Sequence, residues 1–298
     1  MKTGIDSFRY RVVDVFTETA LEGNSLAVFP QAVGLDGDTM QRIAKEMNLS
    51  ETAFVFPTTR EGCLANVRIF TPSKEMIFAG HPTIGTAFVL FDEGTVPAGA
   101  DRFVLEEKVG PVSVRVQTGD RPMIWLRTPP ISDGRTFESA DCARALGLDV
   151  DDLLDVTPQV LSAGNPTLYV ALKDVAAVDR ASVEMHRLDL LKGEGEERMC
   201  VFVFARSETG AYSRMFAPEY GIVEDPATGS STGPLAAFMM RRGLIPGTDG
   251  SRFVSEQGVK MGRRSLLHVE IHGDRGSEGI DVGGHVTPLV EATMHLPK

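Results

Sequence analysis

The chain has little cysteine and scatters what it has: Cys63, Cys142 and Cys200 are the three in 298 residues. An odd number with no close spacing supplies neither a disulfide framework nor a zinc knuckle. Histidine is also scarce. His268 and His272 could share a helix face, but the surrounding LLHVEIH alternates as a strand does, so both read as ordinary strand residues and no metal site is expected. No run of about 18 apolar residues exists to cross a bilayer. Residues Met1 to Tyr10 hold Lys2, Asp6 and Arg9 and no apolar core of a signal peptide, so the cytoplasm is the expected compartment. Positive charge is in deficit as well. A formal net charge of −11 opposes nucleic acid or an acidic membrane as partner, because neither field attracts such a surface.

What the chain does have is a repeat of itself. RIFTPSKEMIFAGHPTIGTAFVLF from Arg68 has a counterpart in RMFAPEYGIVEDPATGSSTGPLAAF from Arg214, EGNSLAVF at Glu22 in AGNPTLYVAL at Ala163, and RFVLEE at Arg102 in RFVSEQ at Arg252. The offsets lie between 141 and 150 residues, so the matches are collinear. A period this long is a duplicated domain rather than a solenoid unit, and it predicts two similar lobes facing each other across a cleft, a favoured place for a ligand. Setting Pro82 against Pro226 matches His81 with Asp225 and Gly85 with Gly229. An imidazole and a carboxylate brought to one cleft is a pair that proton-transfer enzymes use.

Short segments rich in Val, Ile and Phe, bounded by Gly, Pro and Asp, predict strands at 10–16, 25–29, 53–56, 65–70, 103–106, 113–117 and 124–127. The second half repeats the pattern at 167–172, 199–205, 211–216, 253–255, 266–272 and 279–282. Most gaps are too short for a crossover helix, which favours antiparallel pairing. Asp38 is read as the N-cap of a helix over Thr39 to Met47, and Ser139 as the cap of Ala140 to Leu146 with Gly147 as its stop. Thr83 to Phe91 and Pro234 to Met240 are apolar almost all round, and a helix with no polar face is buried. The expected fold is α+β: two pseudo-symmetric lobes, each a mostly antiparallel, barrel-like sheet around a central buried helix. The N-terminal lobe is assigned residues 1–129, joined by the last strand from about 283 to 298, and the C-terminal lobe 130–282. The boundary is set at Pro129 and Pro130, where two prolines followed by Ser132, Asp133 and Gly134 break regular structure.

If the buried helices start at the repeated turns, their unpaired N–H groups suit a substrate carboxylate; the alternative is that the glycines only let helix and sheet pack closely. Glu51, in NLSETAFV between a helix and an apolar strand, stands where desolvation could raise a carboxyl towards the range of a general base, or where a surface turn needs a polar residue. The Gly-x-Ser-x-Gly spelling around Ser231 is that of a nucleophile elbow. That motif needs a parallel α/β sheet and later Asp and His partners, which are not evident. No Walker lysine follows the glycines.

DVFTETALEGNSLAVF, LSETAFV, RIFTPSKEMIFAGHPTIGTA, FAPEYGIVEDPATGSSTG and EQGVKMGRRS, in that order, resemble the PhzF-like proteins of phenazine biosynthesis, within the diaminopimelate-epimerase-like fold. The resemblance spans nearly the whole chain. It implies a homodimeric isomerase that acts without a cofactor on a small carboxylate-bearing substrate such as trans-2,3-dihydro-3-hydroxyanthranilate. It assigns Glu51 as the proton shuttle, His81, Asp225 and Ser230 as the polar groups around the reacting centre, and Gly80, Gly229 and Ser231 as substrate-binding. Related epimerases and racemases use two opposed cysteines; His81 and Asp225 occupy the aligned positions here, which argues against a two-thiol mechanism. A racemase or epimerase using Glu51, and a ligand- or partner-binding protein without catalysis, are the competing readings.

Overall fold

The computed structural model describes residues 5–192, 199–218 and 221–297. The chain forms two compact units, Met1–Leu126 with Gly284–Lys298, and Arg127–Gly283.

In the first unit the strands are β1 (Ile5–Val15), β2 (Asn24–Phe29), β3 (Glu51–Phe56), β4 (Ala65–Phe70), β5 (Arg102–Glu107), β6 (Gly110–Gln117) and β7 (Met123–Arg127). They are hydrogen-bonded in chain order, and the final strand β16 (Gly279–Pro297) follows β7 and pairs antiparallel with β1, so the eight strands close on themselves. Closure removes the sheet edges. Pairing is antiparallel except at β2–β3 and β4–β5. Helix α2 (Gly80–Asp92) is buried from Gly80 to Leu90, as its lack of a polar face requires. A Cβ on Gly85 would stand 2.6 Å from Leu26 and 2.9 Å from Val15, so helix and strands meet only because that residue has no side chain. Helix α1 (Gly37–Met47) packs Met40, Ile43 and Ala44 onto Phe29, Phe54 and Phe70.

The second unit contains β8 (Ser132–Thr136), β9 (Gln159–Ser162), β10 (Thr167–Ala171), β11 (Cys200–Arg206), β12 (Gly210–Ala217), β13 (Ile222–Asp225), β14 (Arg252–Gln257) and β15 (Ser265–His272). Their order is β15-β14-β12-β11-β10-β9-β8, with Gly279–Gly283 of β16 beside β15 and β13 beside β12. Helix α6 (Gly229–Arg241) lies against one face, where Leu235 and Phe238 join Tyr169, Phe202 and Phe204. The short helices α3 (Ser139–Ala145), α4 (Val175–Arg180) and α5 (Met185–Leu191) cover the other.

Four sequence expectations need correction. The cap of α1 is Asp36, whose Oδ1 accepts from the Thr39 N–H at 2.8 Å, because the helix begins two residues earlier than the apolar stripe suggests. Helix α3 has Glu138 as its N-cap and no side-chain cap bond, so Ser139 lies inside it. The stretch after Pro129 and Pro130 is strand β8, paired with β9: every residue of β8 is exposed, which is why its composition reads as loop. Helix α6 starts five residues before Pro234; the ring withholds the N–H that would bond the Ser230 carbonyl, yet the helix runs on through it.

The repeated Arg-x-Phe motif has one structural meaning in both units. Arg68 lies over the Phe70 ring at 5.2 Å and bonds Glu75 at 2.7 Å. Arg214 lies over Phe216 at 4.9 Å and grips Glu224 through two bonds of 2.9 and 2.7 Å.

Candidate active site

Three elements of the first unit deliver Asn24, Glu51 and His81 to one place. Gly23, at φ +68, turns the chain into β2, and a Cβ there would lie 2.4 Å from the Val15 carbonyl oxygen. Asn48, left-handed at φ 51, ends α1 and sends the chain into β3, whose first residue is Glu51. His81 is the second residue of α2. All three are buried, with Glu51 the most accessible at 9%.

Asn24 Nδ2 lies 3.2 Å from His81 Nδ1. An amide NH2 can only donate, so Nδ1 accepts and the ring proton sits on Nε2. That Nε2 is 3.3 Å from Glu51 Oε2, a close approach without the alignment of a hydrogen bond. The distance alone would pass for an ion pair. Burial decides otherwise, since it holds the imidazole down to about 3, and the ring stays neutral. The arrangement is therefore a neutral imidazole beside a carboxyl group, close enough for a small shift to align a hydrogen bond.

In the second unit Asp225 ends β13 and Thr228 precedes α6. The Thr228 hydroxyl donates to Asp225 Oδ2 at 2.5 Å. Gln257, fully buried at the end of β14, donates to the Asp225 carbonyl at 2.7 Å and accepts from the Thr228 N–H at 3.1 Å. Ser230 is the second residue of α6, as His81 is of α2. Ser231 turns inward: its hydroxyl lies 3.1 Å from that of Thr167, its N–H bonds the Thr228 carbonyl and its own carbonyl accepts from Tyr169. Each of these groups is used inside the unit, and the place of Ser231 within helix α6 does not fit a nucleophile elbow.

Gly80 and Gly229 are the first residues of α2 and α6, and neither N-cap side chain bonds its own helix. Both helix starts thus keep donors and partial positive charge that suit a carboxylate. This changes the alignment of the repeat. Arg68 and Arg214 are 146 apart, but Glu75 and Glu224, Gly80 and Gly229, and Thr83 and Thr232 are each 149 apart. Three extra residues before Glu224 account for the difference. The counterpart of His81 is Ser230, and that of Asp225 is Met76; the matched prolines had suggested otherwise.

Cys142 and Cys200 are buried and Cys63 is half-buried, and none lies in the turns that open α2 and α6. Burial pushes the Cys142 thiol up to about 12, away from thiolate chemistry. Among the described residues Glu270, His272 and Asp281 bring possible metal-ligand atoms within 4.8 Å of one another. Arg252 pairs with Glu270 at 2.6 Å, and Arg127 and His272 both bond Asp281, so the two carboxylates already have cations.

The family model described as phenazine biosynthesis-like protein (PhzC-PhzF) matches residues 13–292. The chain belongs to this family. It is 36% identical over 292 residues to the trans-2,3-dihydro-3-hydroxyanthranilate isomerase of Pseudomonas aeruginosa, covering 97% of this chain and 99% of that one. A solved structure from the same organism, described as a predicted epimerase, is 32% identical with a TM-score of 0.80, over 96% of this chain and 99% of the other. A hydroxyproline epimerase from Agrobacterium vitis shares the fold at a TM-score of 0.67 and 14% identity, over 98% of this chain and 93% of its own. This PhzC-PhzF member thus has the α+β architecture common to the family and to the epimerases.

Proposed function

We propose that this chain, an isomerase of the PhzC-PhzF family, moves a proton between carbon atoms of a small carboxylate-bearing substrate of the dihydrohydroxyanthranilate type, without a cofactor. The observation that carries the reading is the buried approach of Glu51 to the neutral His81 imidazole. Glu51 as carboxylate takes a proton from a ring carbon. The electron pair of that C–H bond shifts through the adjacent double bonds, and the same carboxyl returns the proton at another carbon, so no electron is gained or lost. A neutral imidazole suits this role, because its Nε2–H can stabilise negative charge on Glu51 or on the substrate without competing for the proton. Gly80 opens the helix that carries His81, and its N–H group holds the substrate carboxylate. The chain acts as a cytoplasmic homodimer without a nucleic-acid partner.

The test is incubation of the purified protein with trans-2,3-dihydro-3-hydroxyanthranilate in D2O, followed by NMR. Isomerisation is expected, with deuterium entering to the extent that protonated Glu51 exchanges with solvent. No conversion by a folded protein would overturn the substrate assignment. Inversion at a substrate stereocentre without migration of a double bond would make it an epimerase instead.

A further inference from the structure

Strand β5 and strand β14 are the same object in the two units. Each has six residues, RFVLEE and RFVSEQ, with the same alternation of burial, and each ends on a buried polar residue, Glu107 or Gln257. Each of these end residues reaches the start of the buried helix in its own unit. Gln257 bonds the Asp225 carbonyl and the Thr228 N–H and lies 3.1 Å from the Thr228 hydroxyl. Glu107 Oε1 lies 2.5 Å from the hydroxyl of Thr83, in the first turn of α2. Thr83 and its counterpart Thr232 also bond back to the carbonyl of their N-caps, Ala79 and Thr228, at 2.8 and 3.0 Å.

A threonine hydroxyl has one hydrogen. The Ala79 carbonyl can only accept, so that hydrogen is committed to it, and the short contact to Glu107 is satisfied when the carboxyl group supplies its own O–H. The other carboxyl oxygen, Oε2, has no hydrogen-bond partner among the described residues, an arrangement that a buried charge would not tolerate. A protonated glutamate has the shape and neutrality of glutamine, the residue at the matching position of the other unit.

We propose that Glu107 is a positioning residue held in the neutral acid form, which fixes the first turn of α2 and hence His81, and that Gln257 is its counterpart at the turn carrying Asp225 and Ser230. Burial works in the same direction, pushing the Glu107 carboxyl up to about 8. Most of the charged or titratable groups around it have partners or are neutral. Arg68 and Lys108 pair with Glu75, Glu106 accepts from Thr58, and His81 is uncharged. Arg60 completes the charged lining of the cavity of about 560 Å³ that Glu107 borders.

The catalytic part of the proposal rests on the site reading above, so the test has arms that need no substrate. In Glu107→Ala, hydrogen exchange at the first-turn amides of α2 should speed about tenfold, the size of one lost buried hydrogen bond, with kcat falling and KM moving less. Glu107→Gln should restore both to within about threefold, since only the neutral bond is needed. The infrared spectrum should show a protonated carboxyl stretch at pH 7 that is absent from Glu107→Gln and disappears as pH rises through about 8. Unchanged exchange in Glu107→Ala, a Glu107→Gln variant no better than Ala, or no carboxyl band that Glu107→Gln removes would each overturn the proposal. Should Glu107→Ala fail to fold, the infrared band and the Gln variant still decide. Localised exchange without turnover of the dihydrohydroxyanthranilate would sink the substrate reading and leave this one standing.

Discussion

Two buried groups of the first unit should write opposite slopes into the pH dependence of stability. His81 falls from its ordinary 6.5 to about 3 on folding, because burial penalises the imidazolium. Between those values the unfolded chain holds a proton that the native state lacks, so stability rises with pH, is complete above 6.5 and is lost as pH falls towards 3. Glu107 moves from 4.5 to about 8 because burial penalises the carboxylate. Between those values the native state holds the extra proton, so stability falls as pH rises and levels off above 8. Each limb has a slope of about 1.4 kcal/mol per pH unit and a total on the order of 5 kcal/mol. From pH 4.5 to 6.5 the two slopes cancel, so together the pair produces a plateau there, an acid limb below it and an alkaline limb above it. Urea denaturation at half-unit steps from pH 3 to 9 measures this for the native protein, Glu107→Gln and His81→Asn. Differences between curves remove the contribution of all other groups. Glu107→Gln should gain stability on the native protein steadily from pH 4.5 to 8, and His81→Asn should lose the acid limb. A Glu107→Gln difference that stays flat across that range would show the carboxyl to be ionised in the native state and would refute the reasoning.

Glu51→Gln keeps the size of a side chain that is 9% exposed and removes only its basicity, so turnover should fall by about a thousandfold or more while Tm holds or rises; near-normal turnover in the folded variant would move the base elsewhere. Replacing Cys63, Cys142 and Cys200 with Ala or Ser should leave kcat/KM within about tenfold, and a folded, inactive variant would revive thiol chemistry. Gly85→Ala drives a Cβ to within 2.6 Å of Leu26 and should cost about 1–3 kcal/mol by chemical denaturation; a neutral effect would mean that α2 has room to shift within its barrel.

The fold was largely legible because its signals are periodic and repeated. The strands alternate, the two buried helices have no polar face, and the collinear matches reveal the duplication. What failed had physical reasons. Strand β8 is held by its ladder with β9 and buries no residue, so no apolar pattern marks it. The matched prolines misled the alignment of the two turns, because Pro82 stands third in α2 while Pro226 precedes α6 and the second copy has three extra residues. Glu51 and His81 were visible as residue types at junctions, but their 3.3 Å approach depends on β2, β3 and α2 together. Asn24 could have been assigned from the repeat, since it aligns with Asn165, yet nothing local says that an asparagine will choose the tautomer of a histidine.

Comparison of the two units by position separates scaffold from chemistry. Arg68 and Arg214 stack on the phenylalanine two residues on and pair with Glu75 and Glu224; Gly80 and Gly229 open the helices; Thr83 and Thr232 bond back to the caps. These residues do the same work twice, and each kept the same type. The second helical position did not: it is histidine in α2 and serine in α6. A residue bound by a geometric duty in both copies cannot drift in either, whereas one that faces a ligand is under different demands in each. By that criterion Glu107 and Gln257 belong to the scaffold, and their difference is a single atom type, oxygen for nitrogen, within one shape. The criterion exposes itself to test: Gln257→Glu removes the amide donor that reaches the Asp225 carbonyl and should disturb the α6 turn, while Glu107→Gln removes nothing that α2 uses.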